Sequence, residues 1–356
     1  MSIKVYHTWF SRIRQQRPNE RKPCVRNMAW LMTGILLSRS VHLSKIADKI
    51  PGKAALNSTI RRLSRLLEGA GVRVRSWYEP VARDLLDSQA NSSRQIRLIV
   101  DGTKVGFRHQ LLMISLAYRR RALPIAWTWI DSNRGHSSAR KQLALLGYVH
   151  GLIPTDIPVL VVGDSEFGAV EVLRQLDGWG WQYVLRQKAN HLIQADGQTW
   201  QRFGDVLQRS GQSAWLGQEC LTQHHAYRVN LLAHWQLGEK EPWLLATNLP
   251  TLRLAVSAYR RRMWVEEMHG DFKKHGFDLE SSHLQHFLRL SRLTLAVALL
   301  YVWLVGVGSQ VIKDGQRRWV DRSDRRDLSV FRIGYNMIER HLTNSQPFTI
   351  RLVPYF

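Results

Sequence analysis

Residues 96–103 read IRLIVDGT, an apolar run that leads directly into an aspartate, Asp101. The pattern recurs in residues 157–164, IPVLVVGD, where Asp164 follows a second apolar run. Short runs rich in Val, Ile and Leu are typical of strands that are buried on both faces of a sheet. The sequence therefore predicts two buried strands that end in carboxylates at the rim of a sheet.

Strand-like and helix-like segments alternate around these two runs. The order is three strands, a helix, a strand, a helix and a strand, which predicts an α/β fold with a ribonuclease-H-like core. The remaining predicted segments are strands at Leu111–Tyr118, Leu123–Ile130 and Trp181–Leu185 and helices at Ser137–Gly151 and Ala169–Leu176.

Basic residues greatly outnumber acidic ones in the chain. Lys and Arg number 51 against 28 Asp and Glu, which gives a formal net charge of +23. A surplus of this size indicates a polyanionic partner. Because the basic residues are spread along the chain and form no juxtamembrane block, nucleic acid is favoured over an anionic membrane.

The N-terminal part of the chain has the pattern of two short helices around a turn. Pro51 and Gly52 mark the turn, and Arg61 and Arg62 lie on the second helix. A helix-turn-helix that contacts DNA has this arrangement. The alternative is a plain helical bundle whose arginines are solvated.

The length of 356 residues allows several modules. The predicted division has five segments, each defined by a change in pattern. These are a helical N-terminal DNA-binding region (1–90), the first part of the core (91–186), a β-rich insertion (187–242), the second part of the core with the catalytic helix (243–312) and a basic C-terminal tail that is a candidate dimer contact (313–356).

One apolar stretch, Leu293–Ile312, is 20 residues long and carries no charge. That length suffices for a membrane span. Its polar and glycine interruptions favour a buried core helix, and no membrane partner is predicted. The two cysteines allow no disulfide framework beyond a single bridge, and there is no apolar leader at the N-terminus, so a cytoplasmic location is expected.

Residues 259–274, YRRRMWVEEMHGDFKK, carry the most specific spacing in the chain. On a long helix from about Leu252 to Lys274, four of these side chains would lie within an arc of about 60°. The stripe predicts one metal-binding glutamate flanked by groups that contact phosphate. The alternative is a solvated face with an i,i+4 ion pair. The four residues are Tyr259, Arg262, Glu266 and Lys273.

Three carboxylates in so basic a protein indicate a metal site, because acidic groups repel DNA phosphates unless a divalent cation lies between them. The spacing Tyr-x2-Arg-x3-Glu-x6-Lys resembles the signature of a large family of bacterial insertion-sequence DDE transposases. The blocks VDGT and GDSEFG, with Asp101 and Asp164, resemble that family's other two blocks. The resemblance covers roughly residues 90–310.

This resemblance implies that Asp101, Asp164 and Glu266 are catalytic and bind two Mg²⁺ ions, for which Mn²⁺ substitutes. It implies that Tyr259, Arg262 and Lys273 hold the DNA backbone. Arg186, at the end of a strand, resembles a family arginine that meets DNA. In relatives that form hairpins, tryptophans of the insertion stack a flipped base. The candidates here are Trp200, Trp215, Trp235 and Trp243.

The implied activity is DNA transposition. The protein would bind the terminal inverted repeats of an insertion sequence, cleave the transposon ends and join their 3′-OH groups to target DNA. A homodimer on paired ends, associated with the bacterial nucleoid, is also implied. Gly102 departs from the pattern, because some relatives carry a second aspartate there. Glu166 is either a group that supports the site or an exposed residue.

Three alternatives remain open at the level of sequence. A nuclease on the same fold would cut DNA without joining strands and would use the same carboxylates. A DNA-binding protein without catalysis is disfavoured by the intact acidic residues. A basic membrane protein would be anchored by Leu293–Ile312.

Overall fold

The computed structural model describes residues 1–106, 108–131, 136–195, 197 and 199–356. The described chain forms two compact units. One unit consists of Met1–Ser88, Val105–His109 and Met268–Phe356, and is mostly helical. The other consists of Gln89–Lys104 and Gln110–Glu267 and contains a large sheet. The predicted five-segment division stays a prediction.

The sheet has ten strands in the order β3-β2-β1-β4-β5-β10-β9-β8-β6-β7. The central strands β1, β4 and β5 are parallel, and every later pair from β5 to β7 is antiparallel. The strands are β1 Ile96–Val105, β2 His109–Tyr118, β3 Arg121–Asp131, β4 Val159–Gly163, β5 Gln182–Arg186, β6 Leu192–Gln194, β7 Gln201–Arg202, β8 Ser213–Leu221, β9 Tyr227–His234 and β10 Trp243–Thr247.

The helices supply the remaining regular structure, so the fold is mixed α/β. They are α1 Ser2–Gln16, α2 Lys22–Ser38, α3 Leu43–Ala47, α4 Leu56–Glu68, α5 Val74–Ser93, α6 Ala139–His150, α7 Val170–Gly178, α8 Leu252–Tyr259, α9 Trp264–Phe272, α10 Phe287–Lys313 and α11 Val330–Thr343.

Strand β4 is the most completely buried of the central strands: its sequence VLVVG is buried at every position. Its neighbour β1 does not end at Asp101, as predicted, but continues to Val105. The pairing with β4 stops at Val100 and Gly163, and the other neighbour, β2, supports the longer strand. The predicted strand end was wrong because the apolar residues indicate only which part of the strand is buried. The strand itself continues beside β2 after the apolar run has ended.

Strands β6 to β9 lie in the stretch for which a β-rich insertion is predicted. They are joined to the central strands through β10, which pairs with β5 on one side and β9 on the other. Asp177, at the end of α7, accepts hydrogen bonds from the hydroxyls of Tyr183 in β5 and Tyr227 in β9. The Asn248 amide donates to the same carboxylate at 3.0 Å. The inserted strands are therefore attached to the central sheet by backbone pairing and by a shared carboxylate.

In the helical unit, α10 is the core helix. It is long and apolar enough to cross a membrane by length and composition, with a mean hydropathy of 2.1 over its most apolar window. Of that window, 78% is buried inside the protein. A helix that is apolar on all sides and covered on most of them is typical of the core of a folded domain, as predicted for Leu293–Ile312.

The second helix of the core, α11, lies within residues 313–356, for which the sequence predicts only a basic tail. Two glycines let α11 approach α10 to backbone contact. A Cβ atom on Gly334 would lie 1.8 Å from the Leu304 carbonyl oxygen, and one on Gly308 would lie 1.9 Å from the Val330 carbonyl oxygen. The buried face of α11 consists of Phe331, Ile333, Gly334, Tyr335, Met337, Ile338 and Leu342.

The C-terminal end of α4 is capped by a buried arginine from α10. Arg292 is 7% exposed. It donates hydrogen bonds to the carbonyl oxygens of Leu67 at 2.7 Å and Val72 at 3.1 Å. The last carbonyls of a helix have no partner within the helix, and a cation there also complements the helix dipole. Arg292 therefore holds α4, which carries Arg61 and Arg62, against the core helix.

Candidate active site

The parallel register of β1 and β4 brings the two predicted aspartates together. Val100 pairs with Gly163, so Asp101 and Asp164 are the next residues on neighbouring strands. The Asp101 side chain is 5% exposed, whereas that of Asp164 is one third exposed. A carboxylate on each of two adjacent strands is the arrangement that the two apolar runs predict.

The sequence predicts one long helix for the segment that carries Glu266, and this prediction is wrong. Helix α8 ends at Tyr259, Arg260–Met263 form a 3₁₀ turn, and α9 begins at Trp264 and ends at Phe272. A 3₁₀ turn advances by about 120° per residue instead of about 100°, so the projected stripe of side chains does not hold through it. The sequence pattern carries no signal for this turn, since Arg260–Met263 contain no glycine or proline.

Arg262 contacts all three predicted carboxylates. Its Nη1 donates to Glu266 Oε1 at 2.6 Å, and its Nη2 lies 3.0 Å from Asp101 Oδ1 and 3.6 Å from Asp164 Oδ2. The arginine side chain is 17% exposed. The i,i+4 ion pair considered for the helix is thus present, and two aspartates extend it into a cluster of four charges.

Burial and neighbouring charges shift the pKa values in this cluster. Burial raises the pKa of Asp164; the Glu166 backbone N–H and Arg262 lower it, and the charges of Asp101 and Glu166 raise it further, leaving it above its usual value. Burial lowers the pKa of Arg262, but Asp101, Tyr259, Asp164 and Glu266 more than reverse this. The guanidinium therefore remains charged and serves as the counter-charge of the acidic residues.

The chemistry of these residues fits a divalent cation. Carboxylate oxygens are the ligands that Mg²⁺ and Mn²⁺ prefer, and all three carboxylates already turn toward one cationic group. In the part of the chain that the structure describes, no three acidic, His or Cys residues form a ready-made metal cage. In this structure the cation that the three carboxylates contact is the Arg262 guanidinium.

Tyr259 and Arg186 lie in the same unit as the acidic cluster. Tyr259 is 2% exposed and packs edge-on against Trp243, with ring centroids 5.0 Å apart. Burial raises the pKa of Tyr259 to about 12. Arg186, the last residue of β5, is paired with Glu241 at 3.1 Å. DNA contacts by these two residues stay a prediction.

The other predicted DNA-binding residues lie in the helical unit. Lys273 follows the end of α9, and its Nζ lies 3.6 Å from Glu280. Arg61 is exposed on α4, whereas Arg62 is partly buried there. Burial lowers the pKa of Arg62, and the nearby charge of Arg26 adds to this. Two like charges in proximity are favourable where an anion binds.

The candidate tryptophans have different surroundings. Trp215, on β8, is the most exposed of the four at 36%. Trp235 donates its ring N–H to the Glu239 carbonyl oxygen, and Trp243 packs against Tyr259. Trp200 is partly buried. Trp215 therefore offers the largest exposed ring for stacking.

Sequence reasoning left the role of Glu166 open and did not select its partners Gln110, Ser137 and Gln142. Glu166 is 8% exposed and is held by hydrogen bonds from Gln110 and Ser137. Its own backbone N–H donates to Asp164 Oδ1 at 2.9 Å. The position of Glu166, two residues after Asp164, was the signal that could have indicated its role. Its burial could not be predicted, because it depends on Gln110 and Ser137, which are far away in sequence.

Comparison with protein families assigns this geometry to a known class. Residues 92–303, more than half of the chain, match the family described as the transposase DDE domain. The chain belongs to the DDE transposases. The matched range contains Asp101, Asp164 and Glu266, so the transposase carries its acidic cluster within its family domain. The resemblance to DDE transposases is confirmed, and the protein is a DDE transposase enzyme. The Tyr-x2-Arg-x3-Glu-x6-Lys signature of insertion-sequence members stays a prediction.

More distant comparisons add little to the family match. The transposase is similar to the cryo-EM structure of a piggyBac transposase synaptic complex with hairpin DNA, at 8% identity and a TM-score of 0.41. The similarity covers 99% of this chain and 83% of the other chain. A comparison with curated protein sequences finds no match.

Replacing Arg262 with Met is expected to lower the stability of the metal-free transposase and to raise its affinity for Mg²⁺. Removing one partner of a buried ion pair costs roughly 3–5 kcal/mol; because Glu266 is half exposed, we expect about 2 kcal/mol. Metal affinity should rise at least about tenfold, because no guanidinium competes for the carboxylates. Thermal unfolding and calorimetric titration with Mg²⁺ measure the two effects.

Arg253→Met is the matched control, because Arg253 is exposed on α8 and loses the same charge. Arg253→Met should change neither the thermal stability nor the Mg²⁺ affinity appreciably. Unchanged Mg²⁺ affinity in a folded Arg262→Met variant would show that the arginine does not compete with the metal.

Proposed function

We propose that this transposase binds the terminal inverted repeats of a bacterial insertion sequence, cleaves the transposon ends and joins their 3′-OH groups to target DNA. The observation that carries the proposal is the convergence of three carboxylates on Arg262 within the family domain. Such a cluster in a chain of net charge +23 suits a reaction on a polyanion. Strands β1 to β5 would form a ribonuclease-H-like core, and their order supports this.

Asp101, Asp164 and Glu266 would hold two Mg²⁺ ions, with Mn²⁺ as a substitute. When bound, the ions supply activation of water or a 3′-hydroxyl and stabilisation of the leaving 3′-oxygen. Asp101 lies in β1 and Asp164 directly follows the adjacent buried strand β4, so paired strands support both carboxylates. Arg262, released from the carboxylates, would contact a DNA phosphate through its planar guanidinium.

Other basic residues would hold the DNA. Arg61 and Arg62 on α4 would read or clamp the terminal repeat. Lys273 and Arg186 would each contact the DNA backbone. Phosphate contacts of this kind set orientation and register, while base contacts set specificity. Tyr259, although buried beside Trp243, would border the same DNA path.

We further propose that the active assembly is a homodimer on paired ends in the bacterial cytoplasm. Joining two ends in one reaction needs two active sites held together. Each subunit would bind one end and cleave the other, so that an isolated end is not cut. Mixing subunits that carry Glu266→Gln with subunits that carry Arg61→Ala and Arg62→Ala tests this arrangement, because only cleavage in trans restores partial activity.

The deciding experiment is to incubate the purified transposase with candidate terminal inverted-repeat DNA, a target plasmid and Mg²⁺, and to map the products. We expect cuts at the repeat ends and joined products that depend on the metal. Cleavage without joining would identify a nuclease instead. Binding without metal-dependent cleavage would leave a DNA-binding protein and overturn the proposed activity.

A further inference from the structure

Glu166 is a buried carboxylate that the proposed mechanism does not use. It follows Asp164 by two residues and its side chain is 8% exposed. Burying an ionised carboxylate is costly unless its oxygens are fully engaged. Its position beside Asp164 increases that cost, because like charges repel.

The oxygens of Glu166 accept hydrogen bonds from two other segments of the sheet unit. Gln110 Nε2 donates from β2 at 2.9 Å, and the Ser137 backbone N–H donates at 2.6 Å. The Ser137 hydroxyl donates to the same carboxylate. Gln142 on α6 completes the network by donating to the Ser137 hydroxyl at 2.9 Å and to the Glu166 carbonyl oxygen at 3.0 Å.

The same carboxylate lies beside the segment that carries Asp101. A Cβ atom on Gly102 would lie 3.2 Å from Glu166 Oε2 and 2.4 Å from Gln110 Nε2. The Gln110–Glu166 hydrogen bond therefore occupies the space that a side chain at position 102 would fill. The Glu166 backbone N–H also donates to Asp164, so Glu166 holds the Asp164 turn and its side chain lies against the segment that carries Asp101.

Hydrogen bonding alone does not require a negative charge at this position. Gln110 Oε1 is buried without a hydrogen-bond partner among the described residues. If the Gln110 amide turned over, this oxygen would accept from the NH2 group of a glutamine at position 166, and the single amide oxygen of that glutamine would keep the Ser137 bonds. An amide would thus satisfy these hydrogen bonds at a lower desolvation cost. The neighbouring His136 lies 4.0 Å from Glu166 Oε2 and is 63% exposed, so it is a weak counter-charge, and the retained charge calls for a further explanation.

We propose that Glu166 is a positioning residue of the metal site, which fixes the Asp164 loop and adds its negative charge to the field that attracts the divalent cations. This inference rests on the proposed function, because it assumes that Asp101, Asp164 and Glu266 bind metal. Groups that orient metal ligands typically change metal affinity about 10- to 100-fold when they are replaced.

The test is calorimetric titration of the metal-free transposase with Mg²⁺ and with Mn²⁺, together with thermal unfolding. Glu166→Gln should weaken metal binding about 10- to 100-fold, while the melting temperature without metal stays close to that of the parent. The control Glu171→Gln removes the same charge from an exposed position in the first turn of α7 and should leave metal binding unchanged.

A double variant, Gln110→Glu with Glu166→Gln, exchanges the two side chains. This exchanged pair keeps one carboxylate and one amide joined by a hydrogen bond between the same two positions. It should recover most of the lost affinity, and it replaces the single variant as the test if Glu166→Gln does not fold. Parent-like metal affinity in Glu166→Gln, or no recovery in a folded exchanged pair, would overturn the role of the charge. Absence of metal binding in the parent protein would instead refute the proposed metal site.

Discussion

Replacing Asp101 or Asp164 with Asn, or Glu266 with Gln, is expected to reduce cleavage of transposon ends at least about 1000-fold while DNA binding persists. Each change would remove a proposed metal ligand, and a bound metal would contribute several kcal/mol to stabilising charge in the transition state. DNA affinity should persist because it depends on basic residues. Gel assays of cleavage and binding, performed on the same preparations, measure both effects.

The matched control for this series is Glu267→Gln. Glu267 is adjacent to Glu266 and carries the same charge, but it pairs with Arg121 at 2.8 Å. Glu267 is 59% exposed, although its partner Arg121 is only 12% exposed. The loss of this pair should cost about 1 kcal/mol, so the cleavage rate of Glu267→Gln should remain close to that of the parent. If two of the three ligand variants are folded and cleave at the parental rate, the assignment of the metal ligands is wrong.

Replacing Gly334 with Ala is expected to lower the free energy of unfolding by at least about 3 kcal/mol, toward the upper end of the cost of overpacking. The added methyl would lie 1.8 Å from the Leu304 carbonyl oxygen and 2.8 Å from the Gly308 backbone nitrogen. Because these are backbone atoms, α10 and α11 must separate along their contact. Denaturant unfolding of the full chain measures the loss.

A decrease in the free energy of unfolding would identify the helix contact as its cause, because alanine is otherwise the better helix former by about 1 kcal/mol. Gly147→Ala on α6 is the matched control, since a Cβ there meets no atom within 4 Å. It should be neutral or stabilising by up to about 1 kcal/mol. A Gly334→Ala variant as stable as the parent would mean that the two helices do not approach as closely as described.

The sequence predicts the placement of Asp101 and Asp164 well, because buried strands leave a strong local record of apolar residues. It predicts the Arg262–Glu266 contact as an i,i+4 pair. The contact of Arg262 with Asp101 spans 161 residues, and nothing in the local pattern indicates it. Glu166 is similar: its burial depends on Gln110 and Ser137, which are 56 and 29 residues away.

Helix α11 was not predicted for a related reason. Its sequence contains Gly334, a poor helix former, and Arg332 and Arg340 give the tail its basic character. Gly334 is needed only because α10 packs against it: a larger residue would collide with the Leu304 carbonyl oxygen. Tertiary packing outweighs helix propensity here, and a reading of local pattern does not include that contribution.

The position of β10 has a consequence for the order in which the protein is assembled during synthesis. β10 is later in the chain than both of its neighbours, and it lies between β5 and β9. Until Trp243–Thr247 leaves the ribosome, β5 keeps an open edge, while β8 and β9 can already pair as a local hairpin. A nascent chain therefore holds two incomplete sheets with bare edges, the condition that favours aggregation. Synthesis that stalls before residue 243 should thus yield a chain that depends on chaperones, and arrival of β10 converts two sheets into one.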